Sequence, residues 1–518
     1  MKRASNRVMN LAHLLRQAAR RYPSMPGFIR GCRHWTWAEI ETRVDRLAHA
    51  LTERGLLPGD RVLVQARNGI ELVETMFACF RAGAVWVPTN FRQSPAEIAW
   101  LAQSSGARFM ICETEFADHA RACAIARTIF VGDNGPGGYE AVLTAGSEAP
   151  FPAADVEADT PCWFFYTSGT TGRPKAAVLT HGQMGFVVAN HLCDLMPALS
   201  EHDASLVIAP LTHGAGVHFL MQVARGTRTI LPEGDGFDAA EAWRLVEQWR
   251  VTNMFTVPTI LKLLVEHSSV HDFDHASLRH VIYAGAPMYR TDQKRALATL
   301  GPVLVQYFGL GEVTGAITVL RAQDHAFEDD GGVKLGTCGR ERTGMQVSIQ
   351  DDRGQDLPSG ATGEICVCGP AVFAGYHDNP QANAAAFRNG WFRTGDIGFM
   401  DAEGDLFITG RASDMYISGG SNVYPREIED KILAHPSLLE AAVFGVPDPL
   451  WGEVGIAACV LRKGADVSEG QLLDWMKQEI AGYKVPKRVL MLQSLPKSGY
   501  GKVDKKALAA LHAAGKTA

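Results

Sequence analysis

Short apolar runs rich in β-branched residues alternate with helix-like segments from residue 61 onward. The run RVLVQA is followed by IELVETMFACFRAG, which has a helical pattern, and then by AVWVPT. The same alternation resumes at residues 205–211 (SLVIAPL) and continues through TNMFTVP, LRHVIYAG and PVLVQYF. Strands separated by about 10–15 residues of helical pattern predict parallel sheets that are covered by helices. Two such stretches predict two related α/β subdomains.

The pattern changes between residues 345 and 410. The strands become short and alternating there, and the segments DDRGQ and DAEGD are typical of hairpin turns. Residues 413–518 then form a mixed segment that is long enough to fold as a small domain. The sequence therefore predicts an α/β protein. Residues 1–412 would form a large N-terminal domain with two parallel-sheet subdomains and a β-rich subdomain, and residues 413–518 a small mobile α+β domain.

The composition is that of a soluble globular protein. Hydrophobic residues make up 46% of the 518 residues, charged residues 20%, and the net charge is −6. These values argue against a disordered or fibrous chain and against nucleic acid as the main partner. No apolar run approaches the roughly 18 residues of a membrane span. The ten cysteines are scattered without the spacing of a zinc site, which favours reduced thiols in a cytoplasmic protein.

The first 24 residues are basic and contain no acidic residue. This composition would suit a transit peptide. It would also suit an amphipathic helix with Leu11, Leu14, Leu15 and Ala18 on one face, which is the interpretation that we prefer.

The segment YTSGTTGRPKAAVLTH, residues 166–181, is the most informative part of the chain. Its glycines let the backbone approach an anion closely, and its hydroxyl and backbone N–H groups can donate to phosphate oxygens. Lys175 adds a positive charge. The segment is not a Walker A loop, because that motif opens a helix and the residues after Lys175 have the pattern of a strand. It therefore predicts a phosphate-binding loop of another kind.

This segment resembles the phosphate-loop signature of the adenylate-forming superfamily, which includes acyl- and aryl-CoA synthetases, adenylation domains and luciferases. The resemblance extends from HWTWAEI to PKSGYGKVDK, with several motifs in the family order. It implies an ATP- and Mg²⁺-dependent activation of a carboxylate, with CoA as co-substrate. The phosphate contacts implied in this way are those of Thr167, Ser168, Gly169, Thr170, Thr171, Gly172 and Lys175.

The segment QYFGLGEVTG resembles the aromatic-Gly-x-Thr-Glu motif of the family. The resemblance implies that Glu312 is a catalytic residue that holds Mg²⁺, and that Phe308 stacks on adenine. Gly311 replaces the family threonine, so one hydroxyl contact to the α-phosphate is missing. The remaining nucleotide contacts that the resemblance implies are those of Tyr307 and Gly309, of Gly285, Ala286 and Pro287 in YAGAP, and of Asp396 with Arg411 at the ribose.

Three further motifs resemble a catalytic histidine, the hinge and a catalytic lysine of the family. His213 in PLTHGAG resembles a catalytic histidine between the acyl pocket and the pantetheine channel. Ser413 stands at the hinge, where Asp or Lys is usual, and Lys502 in PKSGYGK resembles the catalytic lysine of adenylation. That lysine pattern also resembles the sites of protein acetyltransferases. By resemblance, CoA contacts come from Gly419, Gly420, Trp451 and Tyr483, although the two aromatic residues could equally belong to a core.

The sequence does not identify the acid. By resemblance the acyl pocket lies near Phe255, Ala284, Tyr307, Gly309, Thr314 and Gly315. None of these residues is cationic, which disfavours a dicarboxylate and leaves an aromatic or medium-chain acid. Alternatives to a CoA synthetase are an adenylation enzyme that loads a carrier protein, a luciferase-like enzyme, and a non-catalytic acyl-nucleotide binder. A monomer or a homodimer would suit each of them.

Overall fold

The computed structural model of the protein describes residues 6–167, 173–234, 236–286, 288–329, 334–418, 421–497 and 503–514. The helices are α1 (Ala12–Arg21), α2 (Trp37–Glu53), α3 (Ile70–Ala82), α4 (Pro95–Ser105), α5 (Ala117–Cys123), α6 (Tyr139–Ala145), α7 (His181–Asp194), α8 (Gly214–Arg225), α9 (Ala239–Trp249), α10 (Pro258–Glu266), α11 (Arg290–Leu300), α12 (Pro380–Ala386), α13 (Pro425–Leu433), α14 (Glu469–Glu479) and α15 (Lys505–Ala513).

The strands of the first half are β1 (Arg7–Val8), β2 (Pro26–Arg30), β3 (Arg33–Thr36), β4 (Arg61–Gln65), β5 (Val85–Pro88), β6 (Phe109–Glu113), β7 (Arg127–Val131), β8 (Val156–Glu157), β9 (Pro161–Thr167), β10 (Lys175–Thr180), β11 (Ala204–Val207), β12 (Arg228–Leu231) and β13 (Asn253–Thr256). Those of the second half are β14 (His280–Tyr283), β15 (Leu304–Phe308), β16 (Thr318–Leu320), β17 (Arg340–Glu341), β18 (Gln346–Gln350), β19 (Gly363–Cys368), β20 (Phe387–Arg388), β21 (Trp391–Met400), β22 (Leu406–Arg411), β23 (Tyr416–Ser418), β24 (Ser421–Val423), β25 (Leu438–Asp448), β26 (Gly452–Leu461) and β27 (Arg488–Met491).

The two predicted α/β subdomains are present. The first sheet has the strand order β10-β9-β5-β4-β6-β7, and the second has the order β17-β16-β15-β14-β13-β11-β12-β2-β3. The central strands of both sheets are parallel. Among the described residues, antiparallel strands occur only at the edges of these sheets. Helix α3, which lies between β4 and β5, is buried on nearly every side. That burial explains why its sequence is apolar around most of its circumference.

The largest hydrophobic core joins the two sheets. Buried residues of α1, α2, α3, α7 and α8 pack there against strands of both sheets. The first helix buries Ala12, Leu14, Leu15 and Ala18, so the amphipathic interpretation of the first residues is confirmed. Within the residues described, no helix has both the length and the apolar character that a membrane crossing requires. All ten cysteines carry free thiols.

The predicted change of pattern after residue 345 is also confirmed. Strands β18, β19, β21, β20 and β22 form an antiparallel sheet, and the DAEGD segment is the hairpin turn between β21 and β22. A further sheet contains β24, β23, β26, β25 and β27. The two hydrophobic clusters of this last part contain residues between 416 and 509 only, while the other clusters end at residue 408. This separation supports the division that we propose at residues 412/413.

Candidate active site

Strands β9 and β10 hold the two ends of the candidate phosphate loop. Thr167, the last residue of β9, is the register partner of Lys175, the first residue of β10. The prediction of a strand after the lysine is confirmed, and α7 begins directly after that strand with a capping box of Thr180 and Gln183. Sheet pairing therefore fixes Thr167 and Lys175, the residues at the two ends of the loop. The predicted loop residues Ser168, Gly169, Thr170, Thr171 and Gly172 lie outside the described residues.

The carboxylate of Glu312 lies against this hairpin. Thr167 donates a hydrogen bond from Oγ1 to Glu312 Oε1 over 2.9 Å, and the Tyr376 hydroxyl donates to the same oxygen over 3.0 Å. Glu312 is 5% exposed. Its second oxygen, Oε2, accepts no hydrogen bond from the part of the chain that the structure describes. One carboxylate oxygen is thus used for positioning, and the other is left for a ligand.

This donor set fits Mg²⁺, which is bound by few protein carboxylates together with water and substrate phosphates. A hard carboxylate oxygen of Glu312 lies beside the end of the phosphate hairpin, where a nucleotide would supply the remaining oxygens. In the described ranges no group of three or more His, Cys, Asp or Glu could hold a metal by itself. A metal that is shared between one carboxylate and ATP does not need such a group. The ion would offset the negative charge of the phosphates.

Tyr376 is a site residue that the sequence reasoning missed. Its backbone N–H donates to Asn383 Oδ1 over 2.6 Å, and Asn383 Nδ2 donates to the Tyr376 carbonyl over 3.0 Å. The Lys175 ammonium lies 5.2 Å from the centre of the Tyr376 ring. Burial and the adjacent Glu312 carboxylate raise the pKa of the Tyr376 hydroxyl, so it remains a donor at neutral pH. Tyr376 therefore connects the candidate metal ligand to the candidate phosphate-binding lysine.

Replacing Tyr376 by phenylalanine tests this connection. The ring beside Lys175 would remain, but Glu312 would lose one of its two hydrogen bonds. A hydrogen bond to a charged group contributes about 1.5–3 kcal/mol, so we expect the Mg²⁺ concentration for half-maximal adenylation to rise by about tenfold. The measurement is the rate of pyrophosphate release in a Mg²⁺ titration. An unaltered titration would mean that Tyr376 does not position Glu312.

Gly311 lies where no side chain fits. A Cβ atom at this position would be 2.7 Å from Cδ1 and Cε1 of Phe165 and 2.9 Å from Cγ2 of Thr167. By resemblance to the family, glycine in place of threonine removes one hydroxyl contact to the α-phosphate. The structure adds a physical reason for glycine, because the Phe165 ring occupies the adjacent space. Phe165 also lies 5.4 Å from the His213 ring, so it fills the junction between these two motifs.

We expect Gly311→Thr to lower the rate of adenylation by about tenfold or more rather than raise it. Overpacking of this kind costs about 1–3 kcal/mol, and the displaced atoms belong to the hairpin that carries Thr167. The double variant Phe165→Leu with Gly311→Thr should recover part of the loss, since the smaller side chain makes room. The measurement is kcat/KM for pyrophosphate release with Tm as a control for folding. A single variant that is faster than the wild type would contradict this explanation.

The candidate adenine-binding residues lie at the carboxyl ends of the parallel strands β14 and β15, where α/β sheets bind ligands, and the candidate ribose-binding residues lie on the antiparallel strands β21 and β22. Gly285 and Ala286 follow β14 and are exposed, and Gly285 has a φ of +83° that favours glycine. Phe308 ends the neighbouring strand β15. Asp396 on β21 is paired with Arg411 on β22, whose Nε donates to Asp396 Oδ1 over 2.9 Å. Pro287 lies outside the described residues.

The candidate acid-pocket residues lie close together. The rings of Phe255 and Tyr307 are nearly parallel, with centroids 6.1 Å apart. A Cβ at Gly315 would be 2.4 Å from the Tyr307 ring, and one at Gly309 would be 2.3 Å from the Gly315 Cα. Ala284 and Thr314 are buried beside these elements, and Thr314 has a φ of +49°. These candidate residues therefore combine flat aromatic rings with closely packed glycines.

Arg342 is a buried cation near this pocket that the sequence reasoning did not find. Its side chain is 0% exposed, and its Nη1 donates to the Gly315 carbonyl over 3.1 Å. Its other nitrogens reach Asp194 Oδ2 at 3.4 Å and His191 Nδ1 at 3.2 Å. The guanidinium therefore already contacts three partners within the protein. A dicarboxylate is still predicted to be disfavoured, because a second substrate carboxylate would have to compete with these partners for Arg342.

The remaining predicted residues lie at three places. His213 is the residue before α8, and its Nδ1 lies 3.0 Å from Thr212 Oγ1. Ser413 is exposed and donates from Oγ to Asp414 Oδ1 over 3.1 Å. Trp451 and Tyr483 are 42% and 49% exposed, so they are surface side chains rather than core aromatics. Gly419, Gly420 and Lys502 lie outside the described residues.

Comparison with known proteins identifies the family. Residues 15–377 match the model of the AMP-binding enzyme family, and residues 427–502 match that of the AMP-binding enzyme C-terminal domain. The chain belongs to this family of adenylate-forming enzymes. Its relatives place it in the CoA-synthetase branch.

Two curated relatives and one solved protein illustrate the similarity. A feruloyl-CoA synthase from an Amycolatopsis species is 39% identical over 91% of this chain and 92% of its own. The indoleacetate–CoA ligase of Aromatoleum aromaticum is 34% identical over the same shares. The o-succinylbenzoate CoA synthetase of Bacillus subtilis, in complex with its acyl-adenylate, has a TM-score of 0.86 and 30% identity over 97% of this chain and 98% of its own. A complex of that enzyme with ATP and a magnesium ion has a TM-score of 0.84 and 29% identity over 96% and 99%.

Proposed function

We propose that the protein is an ATP-dependent CoA synthetase that activates an aromatic carboxylic acid. In the first step, a carboxylate oxygen of the acid attacks the α-phosphorus of ATP and the bond to pyrophosphate breaks. In the second step, the CoA thiol attacks the acyl carbonyl, the bond to AMP breaks, and a thioester forms. The observation that carries this proposal is the convergence of Thr167, Glu312 and Tyr376 at the end of the phosphate hairpin, with Lys175 beside them.

The first step depends on charge neutralisation and alignment more than on covalent help from the protein. Lys175 would neutralise phosphate charge, and Glu312 would hold Mg²⁺ with its Oε2. Asp396 would accept the ribose hydroxyls while Arg411 holds its carboxylate in place. Lys502 would offset the repulsion between the attacking carboxylate and the α-phosphate. These groups suit phosphoryl chemistry on a nucleotide and require no nucleophile from the protein.

The second step would use the small domain. We propose that residues 413–518 turn about Ser413, which removes Lys502 from the site and admits CoA. The exposure of Trp451 and Tyr483 leaves both rings available for an adenine ring to stack on. Lys487 lies 5.5 Å from the Trp451 ring centre, where its charge could meet a CoA phosphate. His213, between the hairpin and α8, would border the path of the thiol.

Two observations support an aromatic acid. The Phe255 and Tyr307 rings provide nearly parallel faces, on which a planar substrate can stack. The relatives include enzymes named for ferulate and for indoleacetate, which are both aromatic acids. A medium-chain acid is the competing prediction, because an apolar pocket would also accept an alkyl chain.

The proposal is tested with ATP, Mg²⁺ and a panel of aromatic and aliphatic carboxylic acids. Pyrophosphate should be released in the presence of an acid, and the thioester should form only when CoA is added. Pyrophosphate release without any thioester would favour carrier-protein loading. No release with any acid, from folded protein that still binds ATP, would favour a non-catalytic binder.

A further inference from the structure

Three flat side chains among the candidate acid-pocket residues and their neighbours pack against one another in a common orientation. The ring of His218, on α8, lies 4.5 Å from that of Phe255 at an interplanar angle of 16°. It lies 5.7 Å from the Tyr307 ring at 24°, and Phe255 and Tyr307 are inclined by 16° to each other. Parallel faces of this kind fit a planar ring better than a flexible chain, since only a planar ring can stack on them.

His218 contains a polar atom that the described residues do not satisfy. The side chain belongs to a residue that is only 4% exposed, and its Nδ1 is buried without a hydrogen-bond partner among the described residues. Its Nε2 has only a long contact of 3.4 Å with the Tyr307 hydroxyl. Buried polar atoms are nearly always hydrogen-bonded in native proteins, so an unsatisfied nitrogen beside a substrate pocket indicates a missing ligand group.

A second buried histidine also has an unsatisfied ring nitrogen. His191 on α7 is fully buried, its ring centre is 5.1 Å from that of His218, and its Nε2 also lacks a partner within the described part of the chain. Its Nδ1 lies 3.2 Å from Arg342 Nη2. Two unsatisfied imidazole nitrogens therefore occur in neighbouring rings that both lie beside Tyr307.

The charge state of these rings limits what they can bind. Burial, with a smaller effect of the Arg342 guanidinium, lowers the pKa of His218 to about 3 and that of His191 well below its usual value. Both imidazoles are therefore neutral at pH 7, and a neutral imidazole has one donor and one acceptor nitrogen. Such a pair suits a neutral hydroxyl, which can both donate and accept. A second carboxylate would compete with three existing partners for Arg342, which is used by Asp194, Gly315 and His191.

The position along α8 determines which part of the substrate would meet His218. His213 lies beside Phe165, which precedes the hairpin end at Thr167 by two residues on β9, and the carboxylate would react near that end. His218 comes five residues after His213, one turn beyond Gly214, or about 6 Å further along the helix axis. The reacting carboxylate would thus lie near His213, and the far side of an aromatic ring would lie near His218.

We propose that His218 is a specificity-determining residue that hydrogen-bonds a hydroxyl group on the ring of an aromatic acid, with His191 as its neighbour in the same polar end of the pocket. The proposal rests on the proposed function, because it assigns a substrate class to that site. It extends the proposed function by naming the ring substituent and the residue that selects this substituent.

The test compares cinnamate with 3-hydroxycinnamate and 4-hydroxycinnamate. For the wild type, kcat/KM for pyrophosphate release should be at least about tenfold higher with one of the hydroxylated acids than with cinnamate. His218→Leu should remove this preference, so that the ratio of kcat/KM for the hydroxylated acid to kcat/KM for cinnamate falls to about one. His218→Asn should retain part of the preference, because its amide reaches close to the position of the Nδ1 atom. Melting curves of each variant check that it folds.

His181→Phe is the matched control. His181 is also a buried histidine with an unsatisfied Nε2, but its Nδ1 accepts from the Leu11 backbone, and its ring lies against Phe80. This variant should keep the preference for the hydroxylated acid. Equal kcat/KM for all three acids in the wild type, or a preference that survives in His218→Leu, would overturn the proposal. Activity with octanoate and with no cinnamate would also overturn it while leaving the ligase function intact, whereas release from no acid would overturn both.

Discussion

Lys502→Ala is expected to reduce acyl-AMP formation by about a hundredfold or more, while thioester formation from supplied acyl-AMP stays within a few fold of the wild type. The reason is electrostatic. Two anions, the carboxylate and the α-phosphate, must meet in the first step, and a preorganised ammonium at that point contributes several kcal/mol. The second step attacks a neutral acyl carbon after the small domain has turned, so it has no need of this charge.

The two half-reactions are measured separately, as pyrophosphate release without CoA and as thioester formation from synthetic acyl-AMP. Lys497→Ala is a suitable control, because Lys497 is the other lysine of the PKSGYGK motif and forms an ion pair with Glu440 at 2.9 Å. It should leave both steps close to wild type. An equal loss of both steps in Lys502→Ala would contradict the swivelling model. Acetylation of Lys502, which removes the same charge, should reproduce the selective loss.

Sequence pattern was sufficient for the architecture and for the ends of the phosphate loop. The alternation of strands and helices predicted the two sheets, because periodicity reports which face of a local element is buried. The same reasoning predicted that a strand follows Lys175, and the pairing of Lys175 with Thr167 agrees with it. These features depend on neighbours within a few residues. They are therefore visible in a single sequence.

The contacts that build the site are of another kind. Glu312 meets Thr167 across 145 positions and Tyr376 across 64 positions of the chain, and Arg342 meets His191 across 151. The hydrophobic periodicity of a single helix or strand carries no information about such pairs. Tyr376 also lies in an irregular segment after β19. Gly311 shows the same limit, since only the position of Phe165 explains the absence of a side chain there. Contacts between residues so far apart in the sequence form only when the sheets are assembled.

Glu312→Gln is expected to raise the Mg²⁺ requirement and to slow adenylation by about a hundredfold or more. The substitution is nearly isosteric, and the amide oxygen can still accept the hydrogen bonds that Thr167 and Tyr376 donate to Oε1. The fold should therefore be preserved. What is lost is a negative charge at the position of the metal, where a divalent ion offsets phosphate charge in the transition state. The effect should exceed that of Tyr376→Phe, which leaves the carboxylate in place.

The measurement is pyrophosphate release over a range of Mg²⁺ concentrations, together with Tm. Glu341→Gln serves as the control, because Glu341 is an exposed carboxylate on β17 whose Oε1 accepts from the Val347 backbone, a bond that glutamine can keep. Its Mg²⁺ titration should match that of the wild type. If the Glu312→Gln titration also matched, the carboxylate would have no part in metal binding. A lower Tm with a normal titration would assign the Glu312 side chain to joining the hairpin to Tyr376 instead, since its Oε1 accepts from both Thr167 and Tyr376.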